Sequence, residues 1–141
     1  MITGRRTYDH SLPWWGANGP TQEARVPVFV VTHGTPNDAP EDGVYTFVTG
    51  GIEQALDRAR AAAGAKYVTV MGGAEIGQQF IRAGLVDELS IHLVPILLGS
   101  GTRMCDGLAG VQIELERADG IEGQKATHLR FRVVEPGASG P

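Results

Sequence analysis

The stretch best suited to chemistry is Val68-Thr69-Val70-Met71-Gly72-Gly73-Ala74-Glu75-Ile76, an apolar strand-like run that passes through two glycines into a helix-like pattern. Such a junction gathers unpaired backbone N–H groups and the positive end of a helix dipole at one point, where an anion can sit. Glycine leaves a phosphate room to approach the backbone. The chemistry would be pyrophosphate binding, at Gly72 and Gly73 and the helix start they open. From the junction alone a plain strand-to-helix turn reads equally well. It is not G-x-G-x-x-G, so a Rossmann assignment does not follow. Glu75 reads as a favourable charge in the first helical turn.

Two further stretches offer anion-binding groups. Gly4-Arg5-Arg6-Thr7-Tyr8 sets a glycine, two guanidinium groups and a hydroxyl in succession, and arginine's planar fork suits phosphate oxygens. The alternative is a solvated chain start. Thr32-His33 follows the apolar run 26–31, and the carboxyl ends of such strands are where α/β proteins bind ligands. Elsewhere the residues suggest structure. His10, His92 and His128 lack metal-ligand spacing, so no metal site is expected. Residues 97–103 contain no G-x-S-x-G, which excludes a nucleophile elbow. Asp87 and Glu88 read as a solvated turn, Cys105 has no neighbouring cation to activate it, and Trp14 and Trp15 are expected to fold back over an apolar edge. No proton donor stands out, and the catalytic residues are left unassigned.

The elements that must position these groups follow from periodicity. Residues 26–32, 67–71 and 89–98 read as buried strands, being short, β-branched and bounded by turn formers. Ile52, Ala55, Leu56, Ala59 and Ala63 form one helical stripe that stops at Gly64, and a second helix is predicted over 74–83, ended by Gly84. Residues 112–116 and 127–133 alternate polar with apolar residues, as antiparallel strands with one wet face do. Residues 13–20 and 35–43 read as Pro/Gly loops. The whole is a three-layer α/β arrangement closed by an antiparallel hairpin.

At 141 residues and 42% hydrophobic content the chain suits one domain, taken as 1–135, with a disordered tail at 136–141. Its net charge of −4 is dispersed without a Lys/Arg cluster, which argues against a nucleic-acid partner. No apolar stretch approaches the roughly 20 residues of a membrane span, and the opening residues carry no signal-peptide core. The single cysteine allows no intrachain disulfide and suits a reducing compartment, so a cytoplasmic location is expected.

Taken in order, GRRTYD, PVFVVTH and VMGGAEIGQQFIRAGLVDELSIHLVPILLGSGTRMCDG resemble the bacterial dihydrofolate-reductase-like family, which includes the reductase domain of the bifunctional riboflavin-biosynthesis deaminase/reductase. The resemblance runs over residues 4–134. It implies a three-layer dihydrofolate-reductase-like fold with a mixed, mostly parallel sheet and a C-terminal antiparallel hairpin. It also implies NADPH as cofactor and hydride transfer to a pterin-like or ribitylamino-pyrimidine-like heterocycle. Gly4, Arg5 and Thr7 match the family's helix start beside the NADPH phosphates, Thr32 and His33 its loop near the adenosine 2′-phosphate, and Gly72, Gly73, Ala74, Glu75 and Ile76 its pyrophosphate loop. The resemblance also implies that the Gly-rich loop carrying Arg103 shapes the cleft's edge, within reach of Arg103, while the residues alone read equally well as a plain strand-ending loop.

One departure matters. Members of the family usually begin with a strand and helix ahead of the GRRTY motif, carrying an Asp-Gly turn of the substrate pocket, whereas Met1-Ile2-Thr3 reads as the end of a strand entering Gly4. An N-terminally truncated fold is therefore expected: unstable, inactive, or driven by an open sheet edge into a homodimer. The rival to a reductase is a non-catalytic nucleotide-binding or dimerising remnant. A third reading is a generic phosphate-binding module.

Overall fold

Where β-branched runs find a neighbouring backbone they become strands, and the computed structural model, which describes residues 1–108 and 110–134, shows this in two separate sheets. The tail expected at 136–141 lies outside the described residues. The chain divides into two compact units, Met1–Gln79 and Phe80–Pro141.

In the first unit β1 (Ile2–Gly4), β2 (Val28–Val31) and β3 (Tyr45–Val48) form a parallel sheet in the order β1-β2-β3. The register sets Gly4 beside Val31 and Val31 beside Val48. On its other side β1 bridges Val70, with Ile2 N donating to Thr69 O at 2.8 Å and Met71 N to Ile2 O at 2.9 Å. Residues 67–71, expected as a full strand, make only this bridge, because β1 offers three residues of partner backbone; Tyr67 is left 88% exposed. β3 was not foreseen: four residues between two loops are too few to show a period.

Helix α1 (Arg5–Trp15) corrects the loop expected over 13–20. Pro13 lies in its last turns, where losing one N–H costs little, and Gly16 (φ 53°) closes the helix by donating to Leu12 O. Trp14 is 78% exposed, so its expected fold-back over an apolar edge is not seen. What holds α1 is Tyr8 and Leu12, one turn apart, packed with Val28 and Val30. Val28 and Val30 share one face of β2, so Phe29 faces the other. Helix α2 (Ile52–Ala63) contacts β1 and β2 and buries Ala55, Leu56 and Ala59, three members of the predicted stripe. Gly64, at φ 60°, ends it as expected, donating to Arg60 O.

Helix α3 (Ala74–Arg82) ends at Gly84, φ 70°, close to its predicted bound. In the second unit β4 (Glu88–Leu93), β5 (Leu115–Glu122) and β6 (Thr127–Val133) form an antiparallel sheet in the order β4-β6-β5. β6 has the bounds its alternation predicts, while β5 starts later than 112 and carries a bulge between Arg117 and Asp119. The buried strand expected over 89–98 is corrected in two ways. It stops at Leu93, because Leu93 lies opposite Thr127, the first residue of β6, and nothing pairs the residues beyond. Its outer face is wet: Glu88, Ser90 and His92 are exposed, while Leu89 and Ile91 are half-buried. Leu97 and Leu98 lie in solvent. An apolar cavity of about 370 Å³ is lined by Ile81, Val86, Leu89, Ile113, Leu115 and Val133, with Cys105 among its neighbours.

Candidate functional site

The sheet of the first unit collects the candidate anion-binding groups by register. Because Gly4 pairs with Val31, the residue after each strand, Arg5 and Thr32, comes side by side although 27 positions separate them in sequence. Arg5 Nη1 donates to Thr32 Oγ1 at 3.1 Å and to Gly34 O at 2.8 Å, while Nε donates to Asp9 Oδ1 at 2.8 Å. The Thr32 hydroxyl, itself buried, donates to Gly34 O at 2.8 Å and folds the loop back on itself. Three bonds therefore hold the guanidinium at one side of the strand ends. His33 is exposed in the same loop.

The other side is the glycine junction. Bridging of Ile2 to Val70 carries Gly72 and Gly73 past the ends of β1 and the first turn of α1. Gly73 N donates to Thr7 Oγ1 at 3.1 Å. Gly72 sits at φ 111°, and a β-carbon there would lie 2.6 Å from Thr7 Oγ1 and 2.9 Å from Thr3 Oγ1. Only glycine fits, on both conformation and space. A β-carbon on Gly4 would meet the Ile76 side chain at 3.6 Å, an ordinary contact. Ile76 is buried, whereas Gly72, Gly73 and Glu75 are exposed. No side chain caps α1, and its Gly4 lies against Ile76 in the first turn of α3, so the two helix starts come close together.

The sequence-predicted residues of all three stretches thus belong to one unit. Thr3 and Asp9 were not foreseen. The Thr3 hydroxyl is fully buried beneath Gly72 and has no hydrogen-bond partner among the described residues. Asp9 could have been found from its i,i+4 spacing to Arg5. Tyr8, behind the site, makes edge contacts to Tyr45 and Phe47 at 5.0 and 5.2 Å. Burial first, then Asp38 and Asp9, raises its pKa above the usual tyrosine value, which keeps it neutral. The described residues contain no cluster of three or more metal-ligating side chains.

Comparison with known proteins agrees with this architecture. The uncharacterized protein YwjB of Bacillus subtilis (strain 168) is 32% identical over 101 residues, a match covering 72% of this chain and 55% of that protein; the chain spans little more than half the length of this curated relative. Among solved structures, a Shewanella sp. PV-4 protein named for riboflavin biosynthesis superposes with a TM-score of 0.74 at 22% identity, over 95% of this chain and 73% of that one. Dihydrofolate reductase from Enterococcus faecalis, complexed with NADP(H) and RAB-propyl, superposes with a TM-score of 0.60 at 17% identity, over 95% of this chain and 73% of that one. The fold is dihydrofolate-reductase-like, as the sequence motifs imply. The family model of the RibD C-terminal domain matches residues 2–131, and the chain belongs to that family.

Proposed function

We propose that the chain is an NADPH-dependent reductase acting on a pterin-like or ribitylamino-pyrimidine-like heterocycle. The observation that carries this reading is the glycine junction at the start of α3. Gly72 is held at a positive φ against two threonine hydroxyls, one of them without a partner among the described residues, and beside it lie Gly73, exposed although its amide donates to Thr7 Oγ1, and the starts of α1 and α3. A turn that only had to reverse the chain would not need two helix starts brought together around exposed glycines. Such an arrangement fits the pyrophosphate of a dinucleotide. The reductase relative that carries NADP(H) supports the choice of dinucleotide, and the relative named for riboflavin biosynthesis supports the substrate class.

In this reading the backbone around Gly4, Thr7, Gly72, Gly73 and Ala74 holds the pyrophosphate. Glu75 lies in the first turn of α3, and Ile76, packed close to Gly4, fixes the two helix starts together. Arg5, already aimed by Asp9, Thr32 and Gly34, would take the 2′-phosphate together with Thr32 and His33, which favours NADPH over NADH. When bound, NADPH supplies the hydride for reduction of a C=N or carbonyl group; the chain's own part is to bind and orient. The exposed, free Cys105 supports a reducing compartment and so a cytoplasmic protein; among the described residues no helix is long and apolar enough to cross a membrane. The outer edge of β4, beside which no strand lies among the described residues, supports a homodimer.

A thermal-shift titration with NADPH, NADH and ATP in parallel tests this. Linkage stabilises the native state by roughly 2.7 kcal/mol at a hundredfold excess of ligand over its dissociation constant. A shift selective for NADPH is expected, and equal shifts with ATP would point to a generic phosphate-binding module. Selective binding without NADPH oxidation by any pterin or pyrimidine acceptor would instead support the non-catalytic remnant.

A further inference from the structure

We propose that His92 and His128 form a binding site for a divalent transition-metal ion of the zinc, nickel and copper class on the wet face of the antiparallel sheet. The two histidines are direct partners in the β4–β6 register, both exposed, with ring centroids 4.6 Å apart and planes inclined at 74°. Their Nδ1 atoms face each other in contact.

The rest of that face shows why the pair is unusual. The next two rows along that face each close a charge pair: Arg130 with Asp119 at 2.9 Å, and Arg132 with Glu116 at 3.8 Å. At the His92–His128 row the next strand contributes Ile121, and among the described residues no carboxylate joins the imidazoles as a third ligating group. Two neutral imidazoles facing through Nδ1 satisfy only one hydrogen bond, and two protonated rings would set donor against donor. An ion that accepts both nitrogen lone pairs removes that conflict. Imidazole nitrogen bonds zinc at about 2.0–2.1 Å, so two such nitrogens on a tetrahedral ion lie roughly 3.3 Å apart, which a small rotation of either ring provides.

The donor set decides the class of ion. Nitrogen without oxygen or thiolate disfavours calcium and magnesium and favours zinc, nickel and copper. No third His, Cys, Asp or Glu joins the pair among the described residues, so the remaining positions fall to water and the ion stays exchangeable. Sequence spacing could not reveal this pair, because 36 residues separate its members.

The test is a calorimetric titration of the full chain with Zn²⁺, and with Cu²⁺ followed by electron paramagnetic resonance. One ion per chain is expected, with nitrogen hyperfine coupling from two imidazoles. His92→Asn or His128→Asn should weaken binding by roughly tenfold or more, the loss that even an outer partner of a ligand brings. His10→Asn should change nothing. Both rings are exposed, so the metal-free variants should melt with the parent; should one fail to fold, imidazole ¹⁵N shifts of His92 and His128 in the parent chain on adding Zn²⁺ give the same answer. Undiminished affinity in the double variant, or Zn²⁺ leaving both imidazoles unperturbed, would overturn the proposal.

Discussion

The parallel and antiparallel sheets bury their strands very differently. Ile2, Val28 and Val30 of the first are fully buried, and β2 is contacted by both α1 and α2. Every residue of β5 is exposed, and along β6 exposed residues alternate with half-buried ones. The difference follows from connection. Parallel strands need crossover segments, and here the crossovers supply helices to both faces. Antiparallel strands close through a hairpin and need no cover. The candidate anion-binding groups lie on the well-covered sheet, where packed strand ends can hold backbone amides and a guanidinium in place. The unassigned histidine pair lies on the open one.

Substitutions can break this contrast. Leu56→Ala, in the buried stripe of α2, should cost about 2–5 kcal/mol in urea unfolding. Leu97→Ser should fall within about 0.5 kcal/mol of the parent and improve solubility, since Leu97 is fully exposed. Equal costs would show that the two units are not packed as differently as they look. Amide exchange should follow the same order, with β2 more protected than β5.

Gly72→Ala should be the most damaging change at the site. Forcing a side chain to φ 111° against Thr7 and Thr3 costs on the order of 1–3 kcal/mol and should abolish the NADPH-selective thermal shift. Thr7→Val removes the acceptor of the Gly73 amide, a loss of about 1 kcal/mol, and should weaken NADPH binding while the fold persists. A calorimetric melt and a binding titration separate the two effects.

The smallest effect concerns the tyrosines behind the site. Burial, with Asp38 and Asp9 added, raises the pKa of Tyr8; burial, with Tyr8 added, raises that of Tyr45. A raised folded value means that stability is fully present below the unfolded tyrosine value of about 10 and is lost as pH climbs through the folded values. Tyr8→Phe should therefore delay alkaline unfolding. Since the Tyr8 hydroxyl is buried without a partner among the described residues, the same change should be neutral or stabilising at pH 7, by no more than about 1 kcal/mol.

Features that depend on neighbours in the chain were legible from the residues alone. The α2 stripe, its stop at Gly64, the alternation of β6 and the Gly72-Gly73 entry into α3 all rest on local spacing and on glycine's access to positive φ. The motifs GRRTY, VTH and MGGAEI were readable as candidate anion contacts for the same reason. What the residues could not show is where each strand finds its partner. Strand extent is decided by partner length: residues 67–71 shrink to a bridge because β1 is three residues long, and β4 stops where β6 begins. Pro13 misled because its cost is local, whereas the packing of Tyr8 and Leu12 that outweighs it is tertiary. By itself the sequence named candidate anion-binding groups and showed where α2 and α3 end. Only the tertiary structure decided that Arg5 meets Thr32, that Thr7 meets Gly73 and that His92 faces His128, because strand register is set by cooperative pairing and core burial over long separations.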